Sequence, residues 1–185
     1  MSAGKSHGEQ PQPNLTPAQI AVFTQAVAEY IRAQRATYAP RAAPLAFRDI
    51  WSRFFSATDL ERIRILQPGQ ERVSNPPFYA DLEKMGFTGL PDFNTMAAIT
   101  FDDLVVFHDA LTPQLIFHEM VHVVQYRLLG VDEFARLYVR GYLHGGYSGT
   151  PLEICAYDLD GRFIMGSVGF DVEAEVKSWI EKGRF

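Results

Sequence analysis

Residues 112–130 read TPQLIFHEMVHVVQYRLLG, and this stretch predicts a buried central helix. Thr112 is a residue type that caps helix N-termini, and Pro113 suits the first helical position because its φ is already helical. Gly130 ends the pattern, since glycine commonly follows a helix C-terminus. Apolar residues lie on nearly every side of the helix between these ends, as in a helix enclosed by other elements. We therefore expect the rest of the chain to pack around it.

The same helix carries His118-Glu119-Met120-Val121-His122, the pattern H-E-x-x-H. Residues four apart lie one turn apart on the same face, so both imidazoles can reach one metal ion. Glu119 lies beside the first histidine, where its carboxylate can act as general base towards a metal-activated water. The motif predicts a Zn²⁺ site with His118 and His122 as ligands and Glu119 as the catalytic base. The alternative is a pair of hydrogen-bonded core histidines.

A catalytic zinc usually takes three protein ligands, so a third must come from elsewhere in the chain. Glu153 is the favoured candidate, because it begins another helix that can pack across the first. Thr150-Pro151-Leu152-Glu153 is also the pattern of a capping box, in which Glu153 would bind the backbone N–H of Thr150 instead. The other candidate ligands are His144, His108, Asp158 and Asp132.

Two further polar side chains are candidates for a direct part in catalysis. His144 and Tyr147 lie just before the Glu153 helix, beside or within the glycine-rich stretch 145–149. Either could donate a hydrogen bond to the oxyanion that develops during peptide hydrolysis. For each of them, an ordinary surface position is the alternative.

Residues near the predicted ligands have candidate supporting roles. A carboxylate commonly binds the second ring nitrogen of a ligating histidine, and Asp158 and Asp160 are both candidates for this role. Gln125 lies close to His122 on the same helix and is expected to hydrogen-bond a neighbouring loop. Cys155 is expected to be a small buried residue, since no arrangement for a cysteine nucleophile accompanies it.

The remaining patterns predict an α+β fold, mostly helical and zincin-like, with a small sheet packed on the H-E-x-x-H helix. Residues 1–15 are expected to be a disordered tail and residues 16–185 a single domain, with the metal core at about 96–165. A break is expected at Ser56–Asp59. The predicted elements are helices at 17–35, Leu45–Phe55, Phe78–Met85, Asp132–Tyr142, from Thr150 onward and Phe170–Lys182, a strand at Arg62–Leu66 and a hairpin at Ala98–Phe107.

Composition excludes several classes of protein. The chain has 185 residues with 17 Lys+Arg against 22 Asp+Glu, a net charge of −5, which disfavours a nucleic-acid binder. A single cysteine excludes an intramolecular disulfide framework and a multi-cysteine metal site. No signal peptide and no membrane-spanning stretch is recognisable, so we expect a cytoplasmic protein, with signal-less export as the alternative.

The run from Ala98 to Gln125 resembles the core of bacterial zincin-type metallopeptidases, closest to the domain-of-unknown-function family 4157. The similar features are a strand of the type TF…VVF followed by L-x-x-H-E-x-x-H-V-x-Q, and an upstream D-x-x-R-x-R-I at Asp59–Ile65. The resemblance covers roughly residues 56–165. It implies His118 and His122 as ligands and Glu119 as general base, and it makes the 151–157 helix similar to the glutamate-bearing helix of gluzincins.

Together these features predict a zinc-dependent metallopeptidase whose substrate is a peptide or protein. The first alternative is a zinc-stabilised binding module that does not catalyse a reaction, since the GGYSG loop carries no clear substrate determinant. The second is a metal-free helical interaction domain. No oligomeric state is predicted.

Overall fold

The computed structural model describes residues 13–166 and 169–185 and confirms the α+β class. Within these ranges it contains seven α-helices and a four-stranded mixed sheet. The expected tail at 1–15 lies almost wholly outside the described residues. The elements are α1 (Pro17–Tyr38), β1 (Ala43–Pro44), α2 (Ala57–Arg62), β2 (Arg64–Leu66), α3 (Tyr79–Lys84), β3 (Ala98–Phe101), β4 (Leu104–Phe107), α4 (Pro113–Leu129), α5 (Val131–Gly145), α6 (Pro151–Ile164) and α7 (Val172–Glu181).

The sheet has the strand order β1-β2-β4-β3. Strands β3 and β4 form the predicted antiparallel hairpin, β2 pairs with β4 in parallel, and β1 pairs with β2 antiparallel. Asp102 in the hairpin turn has φ +59°, a left-handed conformation that Asp tolerates better than most residues. Arg35 of α1 donates to Asp103 at 2.7 Å, and Arg62 pairs with Asp102. These ion pairs attach the turn to α1 and α2.

The two faces of the hairpin contact different parts of the core. Val105 and Phe107 pack in one cluster with the apolar side chains of α4. Ile99 and Val106 pack in a second cluster with α1. Thr100 pairs with Val105 in the ladder, so its side chain points to the α4 side of the sheet. The sheet therefore lies between α1 and α4 and presents one polar side chain to the central helix.

Helix α4 lies at the centre of the fold, as its apolar sequence predicts. Phe117 is fully buried, stacks on Phe163 of α6 and makes edge contacts with Phe54, Phe55 and Phe170. Among the other helices, α6 has the most extensive contact with α4. This packing fixes the position of the first residues of α6 relative to the face of α4 that carries the histidines.

Both ends of α4 form as expected. The hydroxyl of Thr112 accepts a hydrogen bond from the backbone N–H of Leu115. Gly130 has φ +77°, a region that favours glycine, and it ends α4 and begins α5 in a single residue. At the last turn of α4, Arg127 binds Asp59 of α2 and Glu173 of α7. Three helices are thus tied together by one guanidinium group.

Three local predictions were wrong. Leu45–Phe55 contains only a 3-10 turn at Arg48–Ile50 rather than an α-helix. The break expected at Ser56–Asp59 is instead the start of α2, because the Ser56 hydroxyl caps the helix by accepting from the backbone N–H of Asp59. Since α2 continues to Arg62, the predicted strand begins two residues later, at Arg64.

Helix α5 also differs from its prediction at both ends. It begins at Val131 directly after Gly130, without Asp132 as its cap, and it continues to Gly145 rather than ending at Tyr142. The expected loop is shortened accordingly. Among residues 13–166 and 169–185, no helix combines the length and apolar character needed to cross a bilayer.

We expect Phe117→Ala to destabilise the protein by about 3–5 kcal/mol, the usual cost of removing a fully buried phenylalanine. The matched control is Phe47→Ala, which makes the same chemical change at a side chain that is 82% exposed; its effect should stay within about 0.5 kcal/mol. Urea denaturation followed by circular dichroism measures both. Equal free energies of unfolding for the two variants would contradict the central position of Phe117.

Candidate metal centre

Helix α4 presents His118 and His122 on one face, directed at α6. Both side chains are more than 90% buried, and their Nε2 atoms are 3.2 Å apart. The ring planes are inclined by 77°, so the two imidazoles converge on a point rather than stack. This convergence follows from their i, i+4 spacing on a straight helix.

Glu153 enters the same space from the first turn of α6. Its Oε2 lies 3.4 Å from Nε2 of His118, and its Oε1 lies 3.6 Å from Nε2 of His122. The capping-box alternative is not formed, because the backbone N–H of Thr150 donates to the Tyr147 carbonyl at 3.1 Å instead of to Glu153, and the Thr150 hydroxyl makes no bond to the helix. Glu153 is therefore free to face the histidines.

A glycine in α5 permits this placement. A Cβ at Gly141 would lie 2.7 Å from Cδ of Pro151, closer than real Cβ atoms approach, and 3.0 Å from Cα of Thr150. The start of α6 can therefore lie directly against α5 only because residue 141 has no side chain. The close approach sets the position of Glu153, two residues further on.

The three donor groups lie at separations close to those of a tetrahedral metal site, with a different Glu153 oxygen nearest to each histidine. Two bonds of about 2.0–2.1 Å meeting at the tetrahedral angle hold their outer atoms about 3.3–3.4 Å apart. The observed separations among the two Nε2 atoms and the Glu153 oxygens are 3.2, 3.4 and 3.6 Å. Among the described residues, His118, His122 and Glu153 are the group of three donors that could hold one ion.

The outer nitrogens of both imidazoles are fixed by hydrogen bonds. Nδ1 of His118 lies 2.9 Å from a carboxylate oxygen of Asp160, and Nδ1 of His122 lies 2.8 Å from Oε1 of Gln125. The Gln125 amide in turn donates to the Leu152 carbonyl at 3.0 Å. Since both partners accept, each Nδ1 carries a proton and each Nε2 faces the shared space. Metal-ligating histidines are commonly oriented in this way.

The choice between Asp158 and Asp160 follows from the rotation of α6. Asp160 is 96% buried and faces α4, whereas Asp158 is exposed. Residues seven apart differ by only about 20° around a helix, so Asp160 lies on the same face as Glu153. Asp158 is five residues after Glu153 and therefore points well away from that face.

The cluster favours a cation. Burial acts to lower the pKa of His118, but the neighbouring carboxylates of Asp160 and Glu153 outweigh it and raise the pKa to about 10. Burial acts to raise the pKa of Glu153, but the two histidines outweigh it and lower the pKa below its usual range. Oε2 of Glu153 is buried and has no hydrogen-bond partner among residues 13–166 and 169–185. A metal ion would satisfy this oxygen and would bind both Nε2 atoms once His118 has released its proton.

Glu119 lies beside the three donors without joining them. Its Oε2 accepts a 2.6 Å hydrogen bond from the hydroxyl of Thr100, which also contacts its backbone carbonyl at 3.3 Å. Tyr126 reaches the Thr100 carbonyl at 3.4 Å. The carboxylate is 94% buried and held from the sheet side, so it is positioned next to the cluster and is not a fourth ligand atom.

Tyr147 is the one predicted oxyanion donor that lies near the cluster. It lines the same cavity as His122 and Glu153. Burial raises the pKa of Tyr147 well above its usual value, and the charges of Glu153 and Glu119 add to the effect. Its hydroxyl therefore stays protonated and able to donate at neutral pH.

The structure does not bring His144 to the cluster. It lies in the last turn of α5, exposed, with Nδ1 2.7 Å from the Arg140 carbonyl of its own helix. The sequence placed it beside a flexible loop, but α5 continues to Gly145 and turns the side chain outward. The predicted catalytic role of His144 is not supported by this position.

The remaining candidate ligands, His108 and Asp132, make other contacts and do not join the cluster. Both ring nitrogens of His108 are used, one accepting from the Val73 N–H and the other donating to the Met96 carbonyl. Asp132 is exposed and pairs with Arg32. Cys155 is fully buried in the core, as expected, and burial raises the pKa of its thiol to about 12.

Sequence reasoning assigned no role to Thr100 and Tyr157. Thr100 is a lone polar residue in the strand AITF, and its alternation towards α4 was the available signal. Tyr157 lies one turn after Glu153, and its ring centroid is 4.6 Å from that of His118. Because Tyr157 is four residues after Glu153, it lies on the same helix face, so its position beside His118 follows once Glu153 is taken as a metal ligand.

A comparison of the chain with protein-family models, with curated proteins and with solved structures finds no match in any of the three. The chemistry of the site must therefore follow from its own residues.

We expect Asp160→Asn to weaken zinc affinity by about 10- to 100-fold, because the asparagine removes the carboxylate charge that orients His118. Asp158→Asn is the matched control, since it makes the same change on the same helix at an exposed carboxylate. Competition against a chromogenic chelator measures both dissociation constants. Equal affinities for the two variants would contradict the supporting role of Asp160.

Proposed function

We propose that this protein is a zinc-dependent metallopeptidase that hydrolyses peptide bonds with Glu119 as general base. The observation that carries the proposal is the convergence of two imidazole nitrogens and a carboxylate, at contact distances of 3.2, 3.4 and 3.6 Å, with a separate buried carboxylate held beside them. Two His and one Glu with an open fourth position is a ligand set of catalytic rather than structural zinc. The resemblance to zincin-type metallopeptidases implies the same function.

Zinc, when bound, supplies a Lewis acid that makes a water molecule acidic near neutral pH. The chain's own residues account for the proton transfers. Glu119 lies beside the site, and its carboxylate would take a proton from the attacking water and return it to the leaving amine. The Thr100 hydroxyl holds one oxygen of Glu119 at 2.6 Å and thereby limits the rotation of the carboxylate. A base held in this way loses little entropy on reaching the transition state.

Tyr147 is proposed as the donor to the oxyanion. It remains protonated, and it lines the cavity that also contains His122 and Glu153. A donor already in place needs no reorganisation as negative charge develops on the carbonyl oxygen, and one such hydrogen bond contributes about 10²–10³ in kcat.

We expect Glu119→Gln to lower kcat by at least about 100-fold with zinc content unchanged, because the amide cannot accept the proton but can still accept the Thr100 hydrogen bond. The control is Glu83→Gln, the same change at an exposed glutamate of α3. The measurement is cleavage of an internally quenched peptide library by zinc-loaded protein, with metal content determined for each variant.

Each outcome separates the candidate functions. Equal cleavage by wild type and Glu119→Gln would remove Glu119 as the base. Stoichiometric zinc, a melting temperature lowered by chelation and no cleavage of any peptide would favour the zinc-stabilised binding module. No bound zinc and no effect of the chelator would favour the metal-free interaction domain.

A further inference from the structure

Three side chains of α6 contact His118. Oε2 of Glu153 lies 3.4 Å from its Nε2, and a carboxylate oxygen of Asp160 lies 2.9 Å from its Nδ1. Tyr157 lies between these two residues in the sequence, and its ring centroid is 4.6 Å from that of His118. Because the three residues follow the spacing i, i+4, i+7, one stripe of the helix carries all of them. A single stretch of α6 thus contacts both nitrogens of His118 and its ring.

The rings of Tyr157 and His118 are in direct contact. Their planes are inclined by 51°, and a separation of 4.6 Å is at the short end of the range of about 4.5–7 Å for interacting aromatic rings. Hydrogen bonds at the two nitrogens direct those atoms, whereas contact with a neighbouring ring limits how far the imidazole can tilt. The tyrosine therefore adds a constraint that the two carboxylates do not supply.

His122 is held in a different way. Its Nδ1 bonds Gln125 of its own helix, and the ring of Phe134 is farther away, at 6.3 Å between centroids. His118 takes its outer hydrogen bond from another helix, α6, and the same helix supplies its close ring contact. The orientation of His118 consequently depends on α6 more than that of His122 does.

The exposure of Tyr157 contrasts with that of the ring it contacts. Tyr157 is 53% exposed, whereas His118 is only 7% exposed. The tyrosine therefore lies against the buried cluster on one side and meets solvent on the other, so it forms part of the cover over His118. A hydrogen bond that water cannot reach is electrostatically stronger than one in water, so this cover also favours the bond between His118 and Asp160.

We propose that Tyr157 is a positioning residue of the metal centre. Its ring holds the imidazole of His118 in the orientation in which Nε2 faces Glu153. A ligand whose side-chain conformation is fixed by packing and by outer hydrogen bonds keeps its donor atom where the ion needs it. Tyr157 acts through His118 and takes no part in the chemical step. The effect on catalysis rests on the proposed function, whereas the effect on metal binding does not require that the protein be a peptidase.

Zinc release tests the proposal without catalysis. Protein loaded with one equivalent of zinc is mixed with an excess of a chromogenic chelator, and the release rate is measured for wild type, Tyr157→Ala, Tyr157→Phe and Ile164→Ala. Ile164 is the matched control, because it lies two turns further along α6 and is 54% exposed. We expect Tyr157→Ala to release zinc about tenfold faster, the lower end of the effect of removing a residue that supports a ligating histidine. Tyr157→Phe keeps the ring and should release zinc at the wild-type rate, as should Ile164→Ala.

Three results would overturn the proposal. The first is a release rate of Tyr157→Ala equal to that of Ile164→Ala. The second is a rate of Tyr157→Phe as fast as that of Tyr157→Ala, which would assign the role to the hydroxyl instead of the ring. The third is a wild-type protein that retains no zinc, which would overturn the metal centre as well.

The visible spectrum of the Co²⁺-loaded protein separates positioning from simple packing, since it reports the arrangement of the ligands around the ion. We expect the absorption bands to change in Tyr157→Ala and to stay unchanged in Tyr157→Phe and Ile164→Ala. An unchanged spectrum in Tyr157→Ala, together with a lower melting temperature of the metal-free protein, would show that the ring only stabilises the surface of α6 and would overturn the proposal.

Peptide cleavage by zinc-saturated protein distinguishes this proposal from the proposed function. We expect Tyr157→Ala to lower kcat with KM unchanged, because a displaced ligand affects the chemical step and not the binding of the peptide. A raised KM with unchanged kcat and unchanged zinc release would make Tyr157 a substrate contact and overturn its positioning role, with the peptidase function retained. Cleavage of no peptide by wild type, with the expected zinc release, would overturn the peptidase function and leave the role of Tyr157 standing.

Discussion

Two imidazoles and three carboxylates are buried between α4, α6 and the sheet, and burying so many ionisable groups is unfavourable unless each finds a partner. Asp160 and Gln125 satisfy the outer nitrogens of the histidines, and Thr100 satisfies an oxygen of Glu119. At the centre, Nε2 of each histidine faces the Glu153 carboxylate, one oxygen of which has no partner among the described residues. A cation at this point would complete the network inside the apolar body of the fold.

The rest of the fold packs around α4 and so fixes the positions of the buried ionisable groups. The aromatic contacts of Phe117 and the ion pairs of Arg127 fix the two ends of α4. The β3–β4 hairpin supplies Thr100 from the side of the sheet. Gly141 lets α6 begin against α5, which places Glu153 opposite the histidines. On the far side, α1 and the 76–96 segment enclose an aromatic cavity that opens onto the same centre. A rigid cluster beside a shaped apolar space is the usual arrangement of a site that selects its ligand.

The sequence predicted those elements that have recognisable capping residues and a clear hydrophobic periodicity. The bounds of α4 follow from Thr112 and Gly130, and the i, i+4 histidines follow from helix geometry alone. Glu153 could be named because it stands at a helix start, but its capping alternative could be settled only by the contacts of Thr150. The error at His144 arose because α5 propagates past its expected end, which depends on packing against α1 rather than on local propensity.

We propose that Nε2 of His118, Nε2 of His122 and the Glu153 carboxylate bind one zinc ion, and X-ray absorption at the zinc edge on protein loaded with one equivalent would reveal these ligands. We expect nitrogen and oxygen neighbours at about 2.0–2.1 Å with outer scattering from two imidazole rings, falling to one ring in His122→Ala. Failure to retain stoichiometric zinc, or an unchanged spectrum in His122→Ala, would contradict it.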